Sequence, residues 1–292
     1  MRYPLVFIAA FLPALAALAA DVHDATVERV VSPAWVIRDG AKLPVAPGTR
    51  LRTGEVLQTG EGSRAELRLP DDSVVKLGSQ SRFFVAQSEW KTSGTPLLTA
   101  TMRVLTGAFR FTTSALARKT TTRDITIRLP TVTAGIRGTD LWGKASADRE
   151  FIVLIEGAID VRGDGSAPVR MDVPLTAFDG PRKDGAAGIS RITPAELETY
   201  ARETEIGGGS GAQTRRGPWK VTVASTEDSG AALQSWDRLR DAGFAAVIEP
   251  SGSRQTPVYR VRIAGLATEA DARSVAAHVE ATLGVTGARV SK

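Results

Sequence analysis

No cysteine occurs anywhere in the 292 residues. That excludes a disulfide framework and a lipid-carrying cysteine, and makes the oxidation state of the compartment irrelevant to folding. Histidine is almost as scarce, with only His23 and His278 present. A Ser-His-Asp triad or a multi-histidine metal site would have to be built on one of these two. No metal-ligand spacing occurs, and the Gly-rich run at 207–211 lacks the following Lys and helix of a phosphate loop. The acidic pair Asp71-Asp72 falls in a hairpin turn, where neighbouring side chains point apart into water rather than flanking a glycosidic bond. Glu227-Asp228 reads the same way, in the turn before a helix. The inventory therefore predicts a protein that is not an enzyme and that needs no cofactor and no metal. Aromatic residues make up only 6% of the chain, which argues against rows of stacking side chains. Beyond residue 20 no apolar run approaches the roughly 20 residues that span a bilayer.

What is present begins with "MRYPLVFIAAFLPALAALAA". Arg2 and the terminal amine precede an apolar run from Leu5 to about Leu18, which ends in the small-x-small triplet Ala17-Leu18-Ala19. This pattern predicts a cleaved secretory signal over residues 1–19, the alternative being an uncleaved N-terminal anchor. The mature chain is then exported and keeps no stable membrane insertion. A net charge of +5 and an isoelectric point of about 9.7 fit an acidic partner.

Residues 25–190 read as a β-rich domain, an all-β sandwich or roll. Short segments such as "EVLQT", "SRAELRL", "SVVKL", "ITIRL", "FIVLI" and "AIDVR" lie between Gly and Asp turn signals. In "SRAELRL", Ala65, Leu67 and Leu69 alternate with Arg64, Glu66 and Arg68, the period of a half-buried strand. The polar stretches 86–97 and 114–123 read as loops. In "GIRGTD", Gly135 and Gly138 bracket Arg137 and predict a kink that carries one strand into the next, with Arg137 capping carbonyls there, the alternative being that it presents its guanidinium to a partner. At residues 191–218 a short helix precedes a linker. Thr193 is a candidate N-cap, Pro194 fits the first turn, and Glu196 completes a capping box. "GGGSGAQTRRG" then reads as flexible chain.

Residues 219–292 contain an internal repeat, each half running strand, turn, helix, Gly, strand. Leu233, Trp236 and Leu239 share one helix face; Ala272, Val275, Ala276, Val279 and Leu283 share the other's. Two such halves predict a small α+β split βαβ domain, a four-stranded antiparallel sheet with both helices on one side. Alternation turns Trp219, Val221 and Val223 one way and Lys220, Thr222 and Ala224 the other; Tyr259, Val261 and Ile263 likewise oppose Arg260 and Arg262. With the apolar set under the helices, Lys220, Thr222, Arg260 and Arg262 are left on an open cationic face. That face has no aromatic residues for stacking bases, and export removes the substrate, so no nucleic-acid partner is expected.

The tail, through "WKVTVAS", "DAGF", "YRVRIAG" and "TEADARSVAAHVEA", resembles the SPOR (sporulation-related repeat) domain. The family often has Gln and Gly where this chain has Thr222 and Ala224, and Gly-Pro-Phe where it has Ala264-Gly265-Leu266. The resemblance implies binding to peptidoglycan, chiefly denuded glycan strands, through Lys220, Thr222, Arg260 and Arg262. Removal of the stem peptides leaves carboxylates on alternate sugars, a polyanion that Arg and Lys can pair with. The β-rich part resembles the periplasmic domain of the FecR family. The carrying stretches are "RTGEVLQTGEGSRAELRLPDDSVVKLGSQSRF", "VLTGAFRF", "LPTVTAGIRGTDLWG" and "VLIEGAIDV". This resemblance implies an exported sensory or adaptor domain in the periplasm of a Gram-negative bacterium, able to meet an envelope protein partner. Together they imply a non-enzymatic cell-envelope protein. The alternatives are an adaptor without glycan binding, or a cell-wall hydrolase or its activator. The signal reading makes one direct prediction: N-terminal sequencing of the exported protein begins at Ala20, and a start at Met1 refutes cleavage.

Overall fold

The computed structural model describes residues 25–91, 97–115, 122–180, 187–253 and 255–292. The expected signal at 1–19 and His23 lie outside the described residues. The first part of the chain supplies strands β1 (Ala25–Val31), β2 (Ala34–Arg38), β3 (Ala41–Pro44), β4 (Arg50–Leu51), β5 (Val56–Thr59), β6 (Arg64–Arg68), β7 (Val74–Leu77) and β8 (Arg82–Lys91). There follow β9 (Leu97–Thr112), β10 (Thr122–Arg128), β11 (Val132–Ile136), β12 (Asp140–Ala145), β13 (Glu150–Glu156) and β14 (Ile159–Gly163). The set closes with β15 (Val169–Met171), β16 (Thr176–Asp179) and β17 (Gly188–Arg191).

These strands build two packed sheets, as the alternating pattern predicts. One sheet pairs β4 and β6 with β1, then runs β6, β7, β9, β12, β13, β16, β17. The other runs β3, β2, β5, β8, β9, β10, β11, β14, β15. In β6, Ala65 and Leu67 are fully buried while Arg64, Glu66 and Arg68 point outward. Side chains such as Leu67, Phe83, Phe109, Phe111, Ile125, Ile152 and Leu154 fill the space between the sheets. Burying one such side chain stabilises the fold by about 1.5–3 kcal/mol before chain entropy is set against it.

Two loop expectations change. Residues up to Lys91 belong to β8, which pairs with β9 as far as Lys91 opposite Leu97. Its outer end carries exposed Gln87 and Glu89, so backbone pairing rather than side-chain burial holds it. The second expected loop overlaps β10 by two residues, and one of them, Arg123, is buried. Its Nε donates to Asp71 Oδ2 at 2.7 Å. Asp71 therefore does not point into water. It is buried and also accepts from the backbone N–H of Ser73 at 3.1 Å, while exposed Asp72 faces Arg68 at 3.4 Å.

"GIRGTD" is the place where the chain leaves one sheet for the other, between β11 and β12. Gly135 is ordinary strand, paired with Thr126 and Asp160. The turn is made at Gly138, whose φ of 110° suits glycine. The Glu156-Gly157 hairpin packs on it: a Cβ on Gly157 would lie 2.7 Å from the Gly138 carbonyl oxygen. Arg137 is exposed and makes no hydrogen bond or ion pair among the described residues, so it does not cap the kink. Asp140 instead does the anchoring, accepting from Arg110 Nε at 3.0 Å and Nη2 at 2.8 Å.

Helix α1 (Pro194–Thr204) forms as expected, with Thr193 and Glu196 in a capping box. It covers the outer face of the first sheet, where Ile192, Leu197 and Tyr200 pack on Trp142, Phe151 and Val153. Glu205, just past the helix, pairs with Lys76 at 2.7 Å and Arg110 at 3.2 Å. The chain beyond it is not free linker. β18 (Ala212–Thr214) pairs antiparallel with β1, and Gln213 also sits opposite Leu266 of the C-terminal part. Its composition hides this, because three residues are too few to show a period. The buried Asp271 carboxylate accepts from the N–H groups of Gly211 and Ala212, each at 3.0 Å. Gln213 receives Ser32 Oγ at 3.2 Å and donates to the Ala264 carbonyl at 2.8 Å.

The C-terminal part consists of β19 (Trp219–Thr226), α2 (Ser229–Asp241), β20 (Ala246–Gly252), β21 (Pro257–Leu266), α3 (Glu269–Leu283) and β22 (Arg289–Ser291). Asp228 is the N-cap of α2, accepting from Gly230 at 2.7 Å. A separate core gathers Val221, Leu239, Phe244, Val261, Ile263, Ala272 and Val279. Leu233, placed by periodicity on the buried face of α2, is instead 53% exposed; Ala232 is buried. Asp271→Ala would strip acceptors from two strap amides and from Thr268. Leaving buried donors unpaired costs about 1–3 kcal/mol each, so a loss on the order of 2–4 kcal/mol is expected in thermal or denaturant unfolding. Limited proteolysis should cut residues 205–217 readily in that variant and slowly in the wild type.

Candidate functional site

The C-terminal sheet has the order β22, β19, β21, β20, all antiparallel. Helices α2 and α3 pack on one face, and the other face is not covered by any described residue. The register aligns Thr222 with Arg262 on one side and Arg289 on the other, so all three project from the open face. Arg260 lies two residues from Arg262, on the same face, opposite Ser225.

Two irregularities shape this face. The register of β19 against β21 shifts between Trp219 and Val221, and again between Thr222 and Ala224. The first is accommodated at Gly265, whose φ is 80°. The second is a bulge that reverses the alternation of β19. Ala224, expected beside Thr222 on the open face, pairs with Val261 and packs against the core, and Ser225 takes the outward position. Simple period-2 counting fails at this residue because β19 carries one extra residue, Val223, against β21.

The result is a groove of about 680 Å³ whose wall includes Thr222, Ser225, Arg260, Arg262, Arg289 and Ser291. Three of the four sequence-predicted residues, Thr222, Arg260 and Arg262, thus come together. Lys220 lies on the same face opposite Ser291, two residues along the strand and outside the groove wall. Arg289 was not among the expected residues. The alternation Arg289, Val290, Ser291 carried the signal, since Val290 packs toward the core and turns its neighbours outward.

The cations of the face differ in their freedom. Arg262 is pinned: Nε donates to Thr222 Oγ1 at 3.1 Å, and Nη1 donates to Glu249 Oε2. Its side chain is only 17% exposed. Glu249, on β20, makes the face less uniformly positive than the sequence implied. Arg260 and Arg289 have no ion-pair partner among the described residues, and both line the groove. Two free guanidiniums flanking a fixed third suit a chain of anionic groups, because each fork can hold a carboxylate with two parallel hydrogen bonds. Among the described residues no cluster of three His, Asp or Glu side chains is placed to hold a metal ion. His278 is exposed on α3, its ring edge-on to Phe244 at 5.3 Å. No helix of the described residues is long and apolar enough to cross a membrane.

Comparison with known proteins divides the chain in the same order. Residues 55–160 match the family described as FecR protein, and residues 216–290 match the SPOR domain. No curated protein matches the chain. Two crystal structures of an anti-sigma factor candidate from Parabacteroides distasonis align with 80% of this chain and 96% of their own. They share 12% and 14% identity with it, at TM-scores of 0.41 and 0.39. The FecR match falls on the β sandwich with its Arg-Gly-Thr crossing, and the SPOR match on the two-helix sheet that carries the groove.

Proposed function

We propose that this is an exported, non-enzymatic cell-envelope protein that grips peptidoglycan glycan strands in the groove of its SPOR domain and presents its FecR region for interaction or sensing. SPOR domains bind peptidoglycan, and the observation that carries the reading here is the convergence of Arg260, Arg262 and Arg289 on one groove. Residues 25–190 serve as the presenting domain, 191–218 as the connection and 219–292 as the glycan-binding domain. Denuded strands are the preferred form, since loss of the stem peptide exposes the carboxylates that the guanidiniums hold. Thr222 acts by aiming Arg262, and Lys220 extends the positive field along the strand without lining the groove. The periplasm is the compartment where such a ligand and an exported chain meet.

Sedimentation with purified sacculi tests this. The full mature chain should co-sediment, and more of it should do so after amidase treatment. A hydrogen bond to a charged group contributes about 1.5–3 kcal/mol, and about 1.4 kcal/mol is tenfold in affinity. Arg260→Glu combined with Arg289→Glu should therefore weaken binding at least tenfold. Undiminished binding by that variant overturns the groove assignment. No sedimentation of the wild type overturns the glycan reading and leaves the protein-interaction adaptor.

A further inference from the structure

We propose that the outer face of the β sandwich, where the end of α1 crosses it, holds a second ligand site, for a small carboxylate carrying a ring or compact apolar group. The site shares no residue with the SPOR groove and is independent of glycan binding.

Strand register creates it. The residues that point outward across β6, β7, β9, β12 and β13 at this level are Arg64, Gly78, Ala108, Lys144 and Phe151. Gly78 donates to the Ala108 carbonyl at 2.8 Å, continuing the ladder. Two small residues thus lie between two long cations. The backbone of Glu203 comes down over this low floor: a Cβ on Gly78 would lie 2.8 Å from its carbonyl oxygen. On one side of Glu203 lies a hollow of about 420 Å³, walled by Arg64, Gln80, Thr106 and Lys144. Next to it lies a recess of about 200 Å³, walled by Trp142, Phe151, Tyr200 and Arg149, whose guanidinium lies 3.9 Å over the Phe151 ring. Lys144, Ser146 and Glu203 border both, so one ligand can reach from the polar hollow into the aromatic recess.

The aromatic residues have a structural reason to be there, since Tyr200 stacks on Trp142 at 4.9 Å and docks the helix. Arg64 has none of that kind. No carboxylate lies within ion-pair distance of it among the described residues. Its Nη1 donates to the carbonyls of Gly62 and Ser63, at 3.3 and 2.8 Å. Its Nε is shut off from solvent with no acceptor. Burial pushes the guanidinium below its usual value, with the charge of Glu203 opposing. A half-buried cation with an idle, buried N–H is costly unless an anion completes it. Glu203 does not, because it is paired with Lys144 at 2.8 Å. Arg64 borders the hollow, so a carboxylate seated there can pair with its guanidinium and perturb the buried Nε–H, while the ligand's ring or apolar group enters the recess beside Tyr200. The indole N–H of Trp142, buried without an acceptor, marks the same recess as incompletely satisfied.

Nitrogen-15-labelled full chain titrated with N-acetylphenylalanine, and separately with its uncharged amide, tests the assignment by NMR. The carboxylate should produce saturable shifts in the side-chain resonances of Arg64 Nε–H and Trp142 indole N–H, and the amide should not. Arg64→Gln should weaken the carboxylate response at least tenfold while sedimenting with sacculi as the wild type does. Silence of both resonances at millimolar carboxylate, or an equal response to the amide, overturns the proposal without reference to any variant. An unchanged titration of Arg64→Gln overturns the role of the guanidinium.

Discussion

Asp271 sits where two pieces of chain converge. Its carboxylate caps the first turn of α3 through Thr268 and, at the same time, holds the N–H groups of Gly211 and Ala212. A buried carboxylate is tolerable only when its acceptor sites are filled, and the strap fills them. Because the strap continues as β18 beside β1, the same acid fixes the SPOR domain to the sandwich. A second contact closes nearby. Gly243, at the end of α2, lies against Trp35 and Pro33 so tightly that a Cβ would come within 2.8 Å of either. Its carbonyl accepts from Ala34 at 3.2 Å. The open face of the SPOR sheet therefore has a set direction relative to the FecR region.

Charge is used in two ways in this molecule. Around α1, opposite charges are matched: Asp140 holds Arg110, and Glu205 bridges Arg110 and Lys76. The hydrogen bonds that Arg110 donates to Asp140 hold its guanidinium above its usual pKa. This network ties the Arg-Gly-Thr-Asp crossing to the end of the helix, so the most recognisable stretch of the sequence has a positional role. On the SPOR face the matching is incomplete: one guanidinium is satisfied by Glu249 and Thr222, and those of Arg260 and Arg289 have no ion-pair partner among the described residues.

Much of this was legible in the sequence. Alternation in "SRAELRL" gave the buried Ala65 and Leu67, and the repeat in the tail gave a four-stranded sheet with both helices on one side. Arg260 and Arg262 share the open face because β21 keeps its alternation through them, and Thr222 joins them because the second register shift of β19 comes only after it. What escaped was set by partners distant along the chain. The bulge that turns Ala224 inward is visible only in the pairing of β19 with β21, the burial of Asp71 depends on Arg123, and the pinning of Arg262 depends on Glu249. The Gly-rich stretch before Trp219 reads as flexible from composition, yet its order comes from acceptors on β1, β21 and α3.

β9 has a consequence for how the sandwich opens. Its 16 residues belong to both sheets, with residues 97–106 paired to β8 and 107–112 to β7 and β12. Neither sheet can peel away without breaking hydrogen bonds on this shared strand. Amide protons in both sheets are thus protected by one cooperative unit of unfolding rather than two. The sandwich behaves as a single block.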